Sequence, residues 1–404
     1  MKVLSVIGTL DPAYGGPVEA LRQLTPVLEE FGNAREIVTL DAPHSPWVSE
    51  FPGRVHALGP SLGKYRYTRR LVPWLRQNAL NYDAVLVHGI WQFQSLATWR
   101  VSRTIGFPYF VFVHGALNPW FRYEYPLKHM KKWLYWPWAE YRVIRDARAV
   151  LFTNQEECVL ARRSFGLYRA TEAVVDYGIQ DPAGDPDAER RAFFEAYPAL
   201  VGKRLLLFMG RLHRVKGLDL LIEAFAQVGE RDPRLQLVIA GPDQEGLRAS
   251  LGARSRTLGM AARITWTGML TGDVRWGAYR AAEAFCLPSH SENFGIVVAE
   301  ALARGLPVLI SDKVNIWRQI DEDRAGFVAP DTVAGTASLL TRWLDLTGTG
   351  RMEMAGRARS CFAARFEIRK AAEKLVSVIE RNIGRTGANV GVEPSTAAAD
   401  RKIL

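Results

Sequence analysis

Residues 284–312 read AFCLPSHSENFGIVVAEALARGLPVLISD, and the order of apolar and polar positions in this stretch decides the fold class. Ala284 to Leu287 has the length and composition of a buried strand. A polar loop with Ser289, Ser291 and Glu292 follows, and a helix opens at Phe294-Gly295. A Gly305-Leu306-Pro307 break ends that helix before a second apolar strand, Val308 to Ser311. The order is half of a Rossmann-type unit. Its loop leaves the carboxyl end of a strand and feeds a helix N-terminus, where open parallel sheets hold ligands and unbonded amides accept anions. Glu292 stands before the helix and Glu300 on its second turn. Carboxylates that accept hydroxyl hydrogens thus stand beside amides near Phe294, Gly295 and Ile296 that suit phosphate oxygens. A sugar nucleotide carries both kinds of group.

Working upstream, LLLFMGRLHRVKGLDLLIEAF (205–225) reads as a strand from Leu205 to Met209, a loop from Gly210 to Lys216, and an amphipathic helix with Leu218, Leu221, Ile222 and Phe225 on one face. Arg211 and Lys216 therefore leave a strand end beside a helix start. A guanidinium grips a diphosphate bidentately, and an ammonium adds a mobile point charge.

The same alternation organises the whole chain. Strands are expected at Lys2 to Ile7, Arg35 to Leu40, Ala84 to His88, Tyr109 to Val113 and Ala149 to Thr153. They resume at Leu205 to Met209, Gln236 to Ala240, Ile264 to Trp266, Ala284 to Leu287, Val308 to Ser311 and Gly326 to Val328. Helices fall between them, and Asp41 to Pro52 reads as a Pro-rich loop. The pattern predicts α/β architecture, with two Rossmann-like domains of parallel sheets facing across a cleft. The boundaries are 1–178 and 187–365, with a hinge rich in Asp, Pro and Gly at Gly178 to Pro186 and a final helix near 366–384. Residues 385–404, small and polar without period, are expected to be disordered.

A chain of 404 residues suits two domains, and three scattered cysteines (Cys158, Cys286, Cys361) without Cys-x-x-Cys spacing argue against structural zinc and suit a reducing compartment. The apolar start MKVLSVIGTL is read as a first strand rather than a signal peptide, and no run is long enough to span a bilayer. A cytoplasmic location is the expectation. The formal charge of +10 favours an anionic partner. Basic residues between 120 and 148 alternate with Trp120, Phe121, Trp133, Tyr135, Trp136, Trp138 and Tyr141, a mixture suited to peripheral contact with an anionic membrane. The plainer reading is a helix with its rings in the core. No nucleic-acid motif accompanies the charge.

Together these stretches resemble the retaining glycosyltransferases of the GT-B fold called family 4 (glycosyl transferases group 1). The likeness rests on the Glu-x7-Glu signature at Glu292 and Glu300 inside SENFGIVVAEALARGLPV, on GRLHRVKG, on VIAGPDQEG (238–246) and on AYGGPVEAL (13–21). It implies a nucleoside diphosphate hexose, either GDP-mannose or a UDP-hexose, as donor. Gly210, Arg211, Lys216, Gly241, Glu292, Asn293, Phe294, Gly295, Ile296 and Glu300 would line the donor site, with Gly15 and Gly16 lying against the diphosphate. The resemblance further implies front-face displacement through an oxocarbenium-like ion pair. Arg211, Lys216 and helix amides would stabilise the leaving diphosphate, Glu300 would hold the ribose and Glu292 would orient the hexose.

His114 and His88 both end strands, in YFVFVHG and AVLVHG. The VHGAL setting of His114 matches the family position that contacts the donor sugar; His88 stands as the alternative, and Asn118 and Trp120 are further cleft candidates. A tight turn would explain Gly15-Gly16 equally well. Asp185-Pro186-Asp187 and Asp321-Glu322-Asp323 have metal-binding spacing but read as solvated loops, so neither a metal nor a cofactor is expected. Asp176-Tyr177-Gly178 and Val314-Asn315 depart from turns common among relatives. With the 120–136 segment, they point to the branch that builds exopolysaccharide or surface glycans on a lipid-linked saccharide acceptor. The competing readings are a sugar-nucleotide epimerase of the same architecture and a basic membrane-surface adaptor; a hydrolase would not need the Arg211 and Lys216 cradle.

Overall fold

The computed structural model describes residues 1–243 and 245–384, apart from the side chains of Phe121 and Tyr123. Among the described residues thirteen strands form two parallel sheets. The first contains β1 (Lys2–Ile7), β2 (Ala34–Thr39), β3 (Arg54–Ala57), β4 (Ala84–His88), β5 (Tyr109–Phe112), β6 (Ala149–Phe152) and β7 (Glu172–Val174), in the order β3-β2-β1-β4-β5-β6-β7. The second contains β8 (Arg204–Met209), β9 (Leu235–Ala240), β10 (Ile264–Gly268), β11 (Ala284–Leu287), β12 (Val308–Ser311) and β13 (Gly326–Ala329), ordered β10-β9-β8-β11-β12-β13. Central strands such as β4 and β9 are buried along their length, the signature of sheets covered by helices on both faces.

Two strands differ from the expectation. The edge strands β3 (RVHA) and β7 (EAV) carry too little apolar sequence to be read as strands, and their side chains stay partly exposed. Only pairing with β2 and β6 defines them, Val55 opposite Ile37 and Ala173 opposite Leu151.

In each sheet the strand order reverses once, between β1 and β4 in the first and between β8 and β11 in the second. Loops leaving such a pair diverge to opposite faces and open a crevice at the strand carboxyl ends. Those four loops are residues 8–15, 89–92, 210–217 and 288–295.

The final helix, Ile368–Ile383, packs on the first domain although it follows the second. Its buried positions 368, 371, 372, 375, 378, 379 and 382 recur at helical spacing. Leu375, Val378 and Ile379 join Val3, Leu86, Phe110, Phe112 and Leu151 in one cluster, while Ile368 and Ala372 meet Val27 and Leu28 of the helix Gly16–Glu30. Lys374 pairs with Asp176 and Arg369 with Glu30. The chain crosses between domains twice, side by side: Ile179 donates to the Phe366 carbonyl at 2.9 Å and Ile368 to the Ile179 carbonyl at 3.0 Å. A Cβ on Gly178 would lie 2.6 Å from Ile368 Cα, so this crossing demands glycine there. Residues 385–404, expected to be disordered, lie outside the described residues.

The helix Pro126–Tyr135 buries none of its side chains. Leu127, Met130, Leu134 and Trp138, spaced three or four residues apart, are exposed together with Trp133, whereas Trp136 goes inside. An aromatic face in the core is thus formed by buried Trp136 with the half-buried Tyr135 and Tyr141 packed against the same cluster, while an apolar stripe flanked by exposed Lys128 and Lys131 meets solvent. Among the described residues no helix is long and apolar enough to cross a membrane.

Candidate active site

The β8 and β11 loops form one wall of the cleft, held together by backbone contacts. His290 donates its N–H to the Val215 carbonyl at 2.8 Å, and a Cβ on Gly217 would lie 2.1 Å from the Pro288 carbonyl oxygen. Lys216 and Glu292, distant in sequence, meet as an ion pair with side chains 14% and 17% exposed. Arg211 stands on the same loop and is exposed. The helix Ile296–Ala303 opens from Gly295 at φ 75° without a side-chain cap, and the Phe294 and Gly295 N–H groups have no acceptor among the described residues. An anion seated there would meet open amides and the positive end of a helix.

Glu300 lies behind this wall. Its carboxylate accepts from Arg275 at 2.6 Å and from the Tyr279 hydroxyl at 2.7 Å and is 3% exposed. Burial raises its pKa, against the charge of Arg275 and the two hydrogen bonds. Reaching ribose hydroxyls requires Glu300 to share the oxygens that Arg275 and Tyr279 now hold.

The first domain meets this wall directly. A Cβ on Gly16 would lie 3.5 Å from Ile296 Cδ1, which sets the glycine pair opposite the helix Ile296–Ala303; Gly15, at φ 86°, takes a conformation suited to glycine. A Cβ on Gly115 would lie 3.1 Å from Asn293 Cβ. Asn154 Nδ2 donates to the Asn293 carbonyl at 2.7 Å, Asn293 Nδ2 to Thr153 Oγ1 at 3.0 Å and Asn118 Nδ2 to Ser291 Oγ at 3.2 Å. Asn293 is therefore a cross-domain tie in this structure.

His88 and His114 are in contact. His88 Nδ1 lies 3.2 Å from His114 Nε2, and His114 Nδ1 lies 3.4 Å from the Tyr177 hydroxyl. Burial holds His114 down at about 3 and His88 well below the usual histidine range, so both rings are neutral near pH 7. Both nitrogens of His114 are thus engaged inside the protein, while its backbone turns at φ 48° toward Asn293.

Three further candidates have structural partners. Gly241 has a packing reason: a Cβ there would lie 1.8 Å from the Gly210 carbonyl oxygen. Asp185 is exposed and caps the helix Pro186–Ala196, accepting from the Asp187 N–H at 3.0 Å. Asp323 is clasped by Arg365 at 2.7 Å, following a helix that contains Asp321 and Glu322. Among the described residues no group of three or more His, Cys, Asp or Glu side chains is gathered for a metal ion.

The reading from sequence passed over Arg275, Thr153, Asn154 and Glu157. Asn154 caps the helix Gln155–Ala161 through the Glu157 N–H at 2.7 Å. The Glu157 carboxylate turns back to the Thr153 N–H at 2.7 Å and also takes the Gly115 N–H at 2.5 Å. The Asn-x-x-Glu spacing resembles a capping box and was legible. Arg275 belongs to no local motif.

Two family models match, "Glycosyl transferase 4-like domain" over residues 15–178 and "Glycosyl transferases group 1" over 189–360. The chain is 29% identical over 294 residues to an alpha-D-kanosaminyltransferase of Streptomyces kanamyceticus, covering 71% of this chain and 73% of the relative. It is 26% identical over 345 residues to mannosylfructose-phosphate synthase of Agrobacterium fabrum, covering 78% and 75%. Its fold is similar to that of HepE from Anabaena, solved with UDP and glucose, at TM-score 0.73 and 17% identity over 94% of this chain and 99% of the other. With two switch-point crevices facing each other and both halves matched, the chain belongs to the group 1 glycosyltransferases of the GT-B fold and transfers sugar from a nucleotide sugar.

Proposed function

We propose that the protein moves a hexose from a UDP- or GDP-hexose to a hydroxyl of a growing, lipid-linked saccharide, with retention at the anomeric carbon and without a metal ion. The observation that carries this reading is the pairing of Lys216 with Glu292 beside the unbonded Phe294 and Gly295 amides, across from Gly16. A diphosphate seated on those amides competes for Lys216 and frees Glu292 to accept a sugar hydroxyl. Lys216, Arg211 and the amides then stabilise the charge that grows on the leaving diphosphate, which is where binding energy lowers the barrier. Both signature carboxylates are engaged, Glu292 by Lys216 and Glu300 by Arg275 and Tyr279, which favours this division of roles over a nucleophile and acid pair. The acceptor enters over the β1 and β4 loops.

The exposed stripe of Leu127, Met130, Leu134 and Trp138 with Lys128 and Lys131 supports contact with an anionic bilayer at the cytoplasmic face. Rings and aliphatic chains sit at headgroup depth, and each lysine adds about 1 kcal/mol at such a surface. The test is product analysis with UDP- and GDP-hexoses and lipid-linked saccharides from a surface-polysaccharide pathway. A new α-linkage from an α-donor, read by NMR, is expected. Conversion of donor without acceptor would show an epimerase instead, and an inverted linkage would refute retention.

A further inference from the structure

Arg35 lies at the start of β2, 2% exposed, and no carboxylate pairs with it among the described residues. Burial lowers its pKa to about 9, and its Nη1 has no hydrogen-bond partner. A guanidinium without a counter-ion inside a domain is costly, so its remaining contacts carry weight. Arg35 Nε donates to Ser5 Oγ at 2.9 Å, and Arg35 Nη2 lies 3.4 Å from His88 Nε2. Ser5 Oγ lies 3.3 Å from the same His88 nitrogen.

A guanidinium nitrogen has no lone pair to offer, so His88 Nε2 is the acceptor. Ser5 Oγ, having accepted from Arg35, keeps its own hydrogen and can give it to the same nitrogen. A neutral imidazole carries one proton, so that of His88 sits on Nδ1 and points to His114 Nε2, 3.2 Å away. His114 Nε2 then accepts in turn, its proton sits on Nδ1, and Tyr177 Oη receives it at 3.4 Å. The rings of His88, Phe112 and His114 are nearly parallel, with centroids 5.1 to 5.4 Å apart, and turning either imidazole over would replace a bonded nitrogen by carbon. Every donor direction runs outward from Arg35.

The end of this series matters for the cleft. Tyr177 belongs to the crossing between domains and packs on Phe294, whose ring centroid is 5.4 Å away. His114 carries the left-handed backbone that brings Gly115 against Asn293. Holding the ring at both nitrogens holds that turn in place.

We propose that Arg35 is a positioning residue. Through His88 it orders both histidines as Nδ1–H tautomers, and this order locks the His114–Gly115 turn, by way of Tyr177, against the donor loop at Asn293. The arrangement rests on the transferase reading only where it speaks of turnover; the tautomer order stands by itself.

The experiment uses the full chain labelled with 15N-histidine, with His88→Asn and His114→Asn supplying assignments. In the unsubstituted protein both rings should show a protonated Nδ1 and an unprotonated Nε2, the reverse of free histidine's preference. A protonated Nε2 on either ring overturns the proposal without any Arg35 variant. Arg35→Met should release His88 to the Nε2–H form and lower kcat by up to about 100-fold with donor KM little changed. Arg35→Lys, which keeps an obligate donor, should restore the tautomers and most of kcat. Unchanged tautomers in a folded Arg35→Met variant overturn the ordering role, and shifted tautomers with unchanged kcat overturn its link to transfer. If no sugar nucleotide is turned over by the unsubstituted chain, the spectra still decide the ordering while the transferase reading alone fails.

Discussion

Replacing Lys216 with Ala tests the cradle most directly. The ammonium and the Glu292 carboxylate are both mostly shielded from water, at 14% and 17% exposure. Two unit charges about 4 Å apart at an effective dielectric near 20 interact by about 4 kcal/mol. The variant removes that attraction toward an incoming diphosphate and also leaves Glu292 as an unpaired anion beside it. Arg211 and the Phe294 and Gly295 amides remain, so the net loss in kcat/KM is set at about 2–4 kcal/mol, a factor of about 30 to 1000. Part of this is repulsion, and a second substitution isolates it. Glu292→Gln in the Lys216→Ala background removes the stranded charge and should recover UDP affinity relative to Lys216→Ala alone, by calorimetry. Steady-state kinetics with the best UDP- or GDP-hexose supply kcat/KM. If Lys216→Ala changes UDP affinity and kcat/KM by less than about threefold, or the double variant binds no better than the single one, the switch of Lys216 from Glu292 to phosphate is wrong.

Leu375→Ala, in the helix that crosses back, should lower stability by about 2–5 kcal/mol in urea unfolding, with early loss of signals from the first domain. A loss confined to the second domain would contradict its packing. Gly241→Ala forces a Cβ into the Gly210 carbonyl and should lower the melting temperature and UDP affinity together, whereas Gly356→Ala, inside the helix Gly348–Cys361 with open space around the added Cβ, should lower neither; equal effects would refute the packing argument. His114 is neutral when folded and protonates near 6.5 when unfolded, so the unfolded chain binds more protons between about 3 and 6.5. Stability is then full above 6.5 and falls by up to about 1.4 kcal/mol per pH unit below it, with His88 adding in the same sense. The Glu140 carboxyl, raised to about 7 by burial, acts oppositely, so the check is a shallower acid slope in His114→Asn than in the parent. Replacing Leu127, Met130 and Leu134 with Ser should abolish sedimentation with phosphatidylserine-containing vesicles and leave UDP binding intact; unchanged sedimentation would remove the membrane assignment.

Local sequence carried much of the architecture because a parallel sheet buried on both faces needs unbroken apolar strands, and β1, β4, β9, β11 and β12 advertise themselves in that way. The edge strands β3 and β7 have one neighbour each and no such demand, so their residues resemble loop. The β11 loop was legible for a related reason. Glu292, Gly295 and Glu300 lie on one strand-loop-helix segment, whose local geometry is enough to set them near one another.

What the sequence by itself determined is therefore the α/β class, the two-domain division and the strand-loop-helix course of the β8 and β11 segments, since periodicity and turn residues act over a few positions. Only the tertiary structure decided that β8 and β11 are neighbours at a reversal of strand order, which brings Lys216 to Glu292 across 76 residues. It likewise decided that Arg275 reaches Glu300, that Thr153 and Asn154 clasp Asn293, and that Arg35, His88, His114 and Tyr177 form one ordered series. Strand order is set by how whole sheets bury their faces, and pairs made by side chains from distant strands leave no periodic trace in the chain that carries them.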